Sequence, residues 1–419
     1  MTKKIWVKFR HSTLGEVLRS LIPNFLVKTL FHFPLAFLAV LFYRFPAKDL
    51  KVIGVTGTDG KTTTATLIYH LLVKSDKKAA LISTVSAKVG LKQIPTGFHV
   101  TSPHPWKLQR LLREIADQGY QYLILETTSH GLDQHRLFGV NFLAGVITNV
   151  TPEHLDYHQT YQNYLQAKAK LFRGVKMAVL NRDDRSFDFL KSVIPQKAKI
   201  VTYGIENKAD FTPQTFEFDC PLVGEYNQYN CLAAIATATL LGLSRPKIRK
   251  AIATFSGLAG RMEKIDEGQA FEVFVDFAHT PNALENVLKT LKKKKRGKLM
   301  VVFGCAGERD QGKRPVMGEI ASRLAEVVVL TAEDPRTEET SQIISQIVKG
   351  CQKAGGVEGK TFFQIPDRKK AIEFAVKKAK EGDLVVICGK GHEKTMCFGR
   401  AEYPWSDQKE ARKALRKMR

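Results

Sequence analysis

No two of the six cysteines (Cys220, Cys231, Cys305, Cys351, Cys388, Cys397) stand at CxxC spacing. That excludes a zinc ribbon, a dithiol redox motif and a dense disulfide framework, and suits small buried roles in a reducing compartment. Acidic residues are few: 41 Asp and Glu against 65 Lys and Arg, a net charge of +24. Such a surplus reads either as a lysine-rich solvated surface, as in 291–298 and 412–419, or as attraction to an anionic partner. No zinc finger or aromatic–basic RNA motif accompanies it, so nucleic acid is set aside as a partner. Long apolar runs are lacking too. The run Phe33 to Tyr43 falls short of the roughly 20 residues that cross about 30 Å of hydrocarbon. No small-residue cleavage site follows it, which argues against a signal peptide.

What is present is ordinary in bulk. A chain of 419 residues, 44% hydrophobic and 25% charged, holds two or three domains with sizeable cores. The odd part is 1–47, rich in Leu, Phe, Ala and Val and punctuated by Pro23, Pro34 and Pro46. Three readings of it stay open: a pair of helices packed on the next domain, an in-plane membrane contact, or a transmembrane anchor. The second draws on Lys3, Lys4, Lys8, Arg10, Lys28 and Arg44 beside the aromatic and leucine side chains.

The richest stretch is Gly54 to Thr64, GVTGTDGKTTT. Leu50, Val52 and Ile53 before it read as a buried strand, and Ala65 to Val73 after it as a helix. Strand, glycine turn, Gly-Lys-Thr and helix make a phosphate-binding loop. Its glycines let backbone N–H groups face an anion, and the helix N-terminus adds partial positive charge. Lys61 can reach outer phosphates, and the Thr62 hydroxyl can sit on magnesium. The general spacing wants a glycine where Val55 stands, with Gly54 one place early. The loop alone says only "nucleotide".

From 48 to about 256, short apolar runs (Ala79 to Ile82, Tyr122 to Leu125, Gly145 to Ile147, Met177 to Leu180) alternate with helical stretches such as Leu108 to Gln118. Alternation of this kind predicts a parallel sheet with helices on both faces and chemistry at the strands' carboxyl ends. Glu126 follows one such strand, where a carboxylate can bind magnesium directly or through water. His154, Asp156 and His158 crowd together after another; singly, each histidine reads as a surface or satisfied core residue. Tyr161 to Phe172 reads as a helix with Tyr164, Lys168 and Leu171 on one face, where Lys168 by itself reads as a snorkelling lysine.

Taken together these pieces resemble the ATP-dependent Mur ligases of peptidoglycan precursor synthesis, over residues 51 to about 410. The stretches ETTSHGLDQHR (126–136), NVTPEHLDYH (149–158), YLQAKAKLF (164–172), GEYNQYN (224–230), GRME (260–263), VDFAHTPNALENVL (275–288), FGCAGERDQGKRP (303–315) and GKGHE (389–393) are similar, in order, to the members that add the third residue of the stem peptide. The loop with Val55 matches the family's own form. The resemblance implies a central ATP-binding domain at 48–256 and a Rossmann-like amino-acid domain at 257–419, after the apolar segment 1–47. It implies ATP and Mg2+, with Gly57, Thr58, Asp59, Gly60, Lys61, Thr62 and Thr63 on the phosphates and Asn227, Arg261, Asp276 and His279 on the nucleotide. Thr62, Glu126 and His154 would hold metal, joined by Lys168 as a carbamate. Lys61, Lys168, Glu126 and His154 would carry the catalysis. Thr101, Ser102, Thr128, Gln134 and Arg136 match acceptor-binding positions, with Thr128 replacing a serine.

In the C-terminal part the alternation restarts with FEVFVDF, KLMVVFG, EVVVLTA and DLVVICG. Arg309, Asp334, Arg336, Gly389 and Glu393 match positions that select the incoming amino acid. The diaminopimelate-adding subgroup reads Asp-Asn-Pro-Arg where this chain has Glu333-Asp334-Pro335-Arg336. Arg336 suits a distal carboxylate by bidentate pairing, whereas Asp334 in place of an amide favours an amine. Meso-diaminopimelate is the expected amino acid and a muramoyl dipeptide the expected acceptor. The alternatives are another amino acid, a lipid-linked acceptor or a non-catalytic ATP-binding scaffold; a folate-type polyglutamate ligase fits GKGHE and the HLDYH stretch poorly. The family also carries a uridine-holding domain before the loop, which 1–47 does not resemble. The expected place is the cytoplasm, with a peripheral membrane contact at its inner face through 1–47.

Overall fold

The computed structural model describes residues 30, 32–90, 92–95 and 103–418. Thr101, Ser102 and most of the basic N-terminal residues named above lie outside them. The first sheet has eight strands: β1 Lys51–Thr56, β2 Ala79–Ile82, β3 Ser86–Val89, β4 Lys92–Pro95, β5 Tyr122–Glu126, β6 Phe142–Ile147, β7 Met177–Asn181 and β8 Lys199–Tyr203. Their order is β4-β3-β2-β5-β1-β6-β7-β8. From β2 to β8 every pairing is parallel, as the alternation of runs and helices predicts. The edge departs from that: β3 and β4 return antiparallel by tight connections, which need no crossover helix. The strand β1 is buried at Val52 to Thr56 because helices cover both faces, which is why it reads as a continuous apolar run rather than an alternating one.

The helix after the loop spans Lys61–Val73, so it begins at Lys61 and not at Ala65. Thr62 to Thr66 are buried against the sheet and the helix Glu225–Leu240. Tertiary packing overrides the modest helix propensity of three successive threonines.

The second sheet holds β9 Glu263–Ile265, β10 Glu272–Asp276, β11 Leu299–Phe303, β12 Val327–Leu330, β13 Phe362–Gln364 and β14 Leu384–Cys388, in the order β13-β12-β11-β14-β10-β9. Only β9 runs antiparallel. A hairpin of β15 Thr395–Phe398 and β16 Ala401–Pro404 lies beyond β14. Apolar clusters lie on both faces of each sheet.

Of the expected N-terminal helix pair, one helix is described, Phe33–Phe42. It packs on the helix Pro105–Asp117; Ala36, Ala39 and Val40 are buried, with Val40 against Gly139, and Phe33 meets Phe138 edge-on at 4.9 Å. Phe37, Leu38, Leu41 and Phe42 point outward. Among the described residues, no helix is long and apolar enough to cross a membrane.

Candidate active site

The loop between β1 and the helix Lys61–Val73 needs glycine twice. A Cβ on Gly57 would sit 1.8 Å from Thr148 Oγ1, and one on Gly60, at φ +79°, would sit 2.2 Å from Asn230 Oδ1. Gly54 serves otherwise. It lies inside β1, where a Cβ would come within 2.5 Å of Leu171, so the early glycine is a packing residue and Val55 belongs to the buried strand. The segment 148–151 braces the loop. Thr58 N–H donates to the Asn149 carbonyl at 2.8 Å, Asp59 N–H to Asn149 Oδ1 at 2.9 Å, and Thr148 Oγ1 to the Asp59 carbonyl at 2.6 Å. Lys61 Nζ turns back to the Thr58 carbonyl at 2.6 Å.

Glu126, at the carboxyl end of β5, is buried and faces three donors. Thr62 Oγ1 reaches both its oxygens at 3.1 Å, Thr84 N–H donates to Oε2 at 2.9 Å, and Thr84 Oγ1 donates to Oε1 at 2.8 Å. Thr84 carried no signal in the sequence; the turn after β2 brings it here. A carboxylate and two hydroxyls facing a phosphate loop form an all-oxygen donor set, which fits magnesium that takes its remaining ligands from phosphate and water. Among the described residues, no group of three or more His, Cys, Asp or Glu could hold a metal on its own.

Lys168 is fully buried beneath the loop, its Nζ donating to the Gly57 carbonyl at 2.6 Å and lying 4.3 Å from the Tyr164 ring centroid. It does not snorkel. Burial, with Lys61 nearby, holds its amine well below the usual lysine range. His154 adopts left-handed backbone at φ +56°. Burial and then Lys168 push its imidazole down to about 3, so the ring is neutral at physiological pH and able to ligate. His130 stacks edge-on 4.9 Å from it and is likewise lowered to about 3, first by burial. His158 turns away, Nε2 lying 3.0 Å from Ser129 Oγ.

The two sheet domains meet across the loop. Asp59 accepts from Asn282 Nδ2 at 2.7 Å and Thr280 Oγ1 at 3.2 Å, both at the start of the helix Pro281–Lys294. Arg261 lies over the Phe277 ring at 4.5 Å with Nη2 3.5 Å from Thr62 Oγ1. His279 Nδ1 donates to the Phe277 carbonyl at 2.9 Å, and its Nε2 faces Glu153 at 3.6 Å. Asp276 is already engaged: its two oxygens accept from Met262 N–H and Ala278 N–H, both at 2.7 Å, which makes it a brace for the junction.

Two cavities open on either side of this junction. One, of about 740 Å³, is lined by Thr63, Asn227, Asn230, Tyr226 and Asp276 among others. The second, of about 260 Å³, joins Lys61, Thr62, Glu126 and His154 to Arg309, Asp334, Arg336, Gly389 and Glu393. Asp59, Gly60 and Arg261 line both. Of the expected acceptor residues, Thr128 lines the smaller cavity, its Oγ1 accepting from Gly131 N–H at 3.0 Å. Gln134 instead donates to Tyr157 OH at 3.2 Å, and Arg136 lies near that same tyrosine.

In the wall of the smaller cavity, Asp334 is not the isolated charge that its sequence implies. Lys390, fully buried, donates to its Oδ1 at 2.7 Å. Glu333 is buried beside it, and burial pushes its carboxyl up to about 7. GKGHE contains Lys390, but nothing in the sequence pairs it with Asp334.

The chain matches the Mur ligase middle domain over residues 55–238 and the Mur ligase, glutamate ligase domain over 260–391. It is 40% identical over 412 residues to the UDP-N-acetylmuramoyl-L-alanyl-D-glutamate--2,6-diaminopimelate ligase of Geobacillus thermodenitrificans (strain NG80-2), covering 92% of this chain and 83% of that protein. It is 37% identical over 414 residues to the UDP-N-acetylmuramyl-tripeptide synthetase of Roseiflexus sp. (strain RS-1), covering 91% and 81%. A solved structure of a UDP-N-acetylmuramoyl-L-alanyl-D-glutamate--2,6-diaminopimelate ligase superposes with a TM-score of 0.60 at 35% identity, over 88% of this chain and 79% of that one.

Proposed function

This chain belongs to the Mur ligase family, and on that footing we propose that it joins meso-diaminopimelate to a UDP-linked muramoyl-L-Ala-D-Glu acceptor. It is an ATP-dependent acid–amino-acid ligase. The observation that carries the reading is the smaller cavity, where the phosphate loop and Glu126 share one space with Arg309 and Arg336.

The acceptor's carboxylate attacks the γ-phosphorus of ATP, ADP leaves, and an acyl phosphate forms. The amino group of the incoming amino acid then attacks the acyl carbon, and phosphate leaves as the amide forms. Lys61 leaves the Thr58 carbonyl to meet the charge developing on the transferring phosphoryl group. Thr62 and Glu126 would hold one magnesium, and His154 with a carbamylated Lys168 a second. Magnesium, when bound, neutralises phosphoryl charge. Asn227, Thr63 and Arg261 hold the nucleotide in the larger cavity. Thr128, in the smaller cavity, holds the acceptor, while Arg309 and Arg336 receive the distal carboxylate. Asp59, tied to Asn282 and Thr280, keeps the domains closed so that water does not reach the acyl phosphate.

ADP release measured against a panel of amino acids, with and without the UDP-linked acceptor, tests this. Turnover is expected only with acceptor and amino acid together, and diaminopimelate is expected to exceed L-lysine at least tenfold. Release that ignores both would indicate an ATP-binding scaffold, and turnover with lysine alone would exclude diaminopimelate.

The outward face of the helix Phe33–Phe42 supports a second reading, a peripheral contact with an anionic membrane surface. Leu38 is 55% and Phe42 68% exposed, and Arg44 and Lys48 follow. Burying Leu and Phe contributes about 1.5–3 kcal/mol each. The double variant Leu38→Asp/Phe42→Asp is therefore expected to bind phosphatidylglycerol-containing vesicles at least tenfold more weakly in sedimentation. Equal sedimentation of both proteins would rule out the contact.

A further inference from the structure

Lys390 does not line the 260 Å³ cavity, yet it ties together two residues that do. Its side chain is fully buried. Nζ donates to Asp334 Oδ1 at 2.7 Å and forms an ion pair with Glu393, three residues along across a tight turn. Cys397 N–H, at the β15 edge, donates to the same Asp334 oxygen at 2.9 Å. Both of these bonds fall on Oδ1, so Asp334 is held from behind the wall. Its backbone is left-handed, at φ +43°, which fixes it further.

The charges decide what this wall can accept. An aspartate lining a small cavity attracts an ammonium and repels a carboxylate, and the low dielectric strengthens both effects. Here the aspartate's charge is met inside the protein by a buried ammonium, which itself needs carboxylate partners to be tolerated there. Arg309 and Arg336 then face the cavity without Asp334 cancelling them. Without Lys390, Asp334 would present an unmatched charge on the wall that receives the amino acid's far end.

We infer that Lys390 is a positioning residue that sets amino-acid selectivity, matching the charge of Asp334 so that the pocket admits a distal carboxylate. This rests on the diaminopimelate reading above. It also resolves the conflict between Arg336, which suits a carboxylate, and Asp334, which alone would not.

The test uses the full chain, the UDP-linked acceptor, and either meso-diaminopimelate or L-lysine, which lacks the distal carboxylate. ADP release is compared for the wild type, K390M, D334N and D334N/K390M. K390M is expected to lose about 100-fold in kcat/KM for diaminopimelate, mainly through KM, and to shift its selectivity at least tenfold toward lysine. Adding D334N to K390M is expected to restore diaminopimelate use at least tenfold, because a neutral amide leaves no unmatched charge there. D334N alone, which keeps the lysine, is expected to shift selectivity further toward diaminopimelate, and it remains informative if K390M does not fold. Equal losses for both amino acids in K390M, no recovery in the double variant, or unchanged selectivity in D334N would overturn the inference. A wild-type chain that uses lysine and refuses diaminopimelate would instead remove the reading beneath it.

Discussion

Replacing Lys168 by alanine or by arginine is expected to lower kcat about 10³-fold, roughly 4 kcal/mol of barrier. Removing carbon dioxide is expected to slow the wild-type chain in the same way, with bicarbonate restoring it. The reason lies in where the side chain sits. Its amine is buried under the phosphate loop, 2.6 Å from the Gly57 carbonyl. A bare ammonium there would meet Lys61 and repel a metal. An amine whose charged form burial disfavours can, once deprotonated, add carbon dioxide instead: a nitrogen–carbon bond forms, the nitrogen loses a proton, and a carbamate with one negative charge results. Arginine keeps the positive charge and cannot become this anion, so it separates the carbamate from a simple cation. Melting temperatures near wild type show that the variants fold. A wild-type rate indifferent to carbon dioxide, beside an active Lys168→Arg chain, would discard the carbamate.

The second large effect belongs to Lys61. Lys61→Met is expected to lower kcat by about 10²–10³, roughly 3–4 kcal/mol, the range found when one preorganised donor is removed from developing charge. KM for ATP is expected to rise less, because the backbone N–H groups of the loop still bind phosphate in the ground state. Methionine and lysine have similar helix propensity, so the first turn of the helix Lys61–Val73 stands. Single-turnover phosphate release reads the step directly. A loss below tenfold would take Lys61 out of the phosphoryl-transfer step.

Much of this site was legible before any coordinates. Glycines that must take positive φ or let backbone approach an anion leave a mark in a few adjacent residues. Buried parallel strands do the same, as the runs Ala79 to Ile82 and Met177 to Leu180 show. The antiparallel turn of β3 and β4 was not legible, because short, weakly apolar strands carry no direction in their sequence. Gly54 was misplaced only against a general spacing. Packed against Leu171, it proves to be a strand residue with no part in holding phosphate.

What the sequence by itself determined is local: the phosphate loop, the strand that delivers Glu126, and the family to which eight ordered stretches point. Which charges meet was decided by the tertiary structure. Thr84 reaches Glu126 across 42 residues, Lys390 reaches Asp334 across 56, and Asn282 reaches Asp59 across 223. Each pairing joins residues on different loops or strand ends, and only the order of strands in the sheets and the meeting of the two domains put them in reach. A charge read along the chain has a sign but no partner. For Asp334 and Lys168 the partner and the burial, not the residue type, set what each can do.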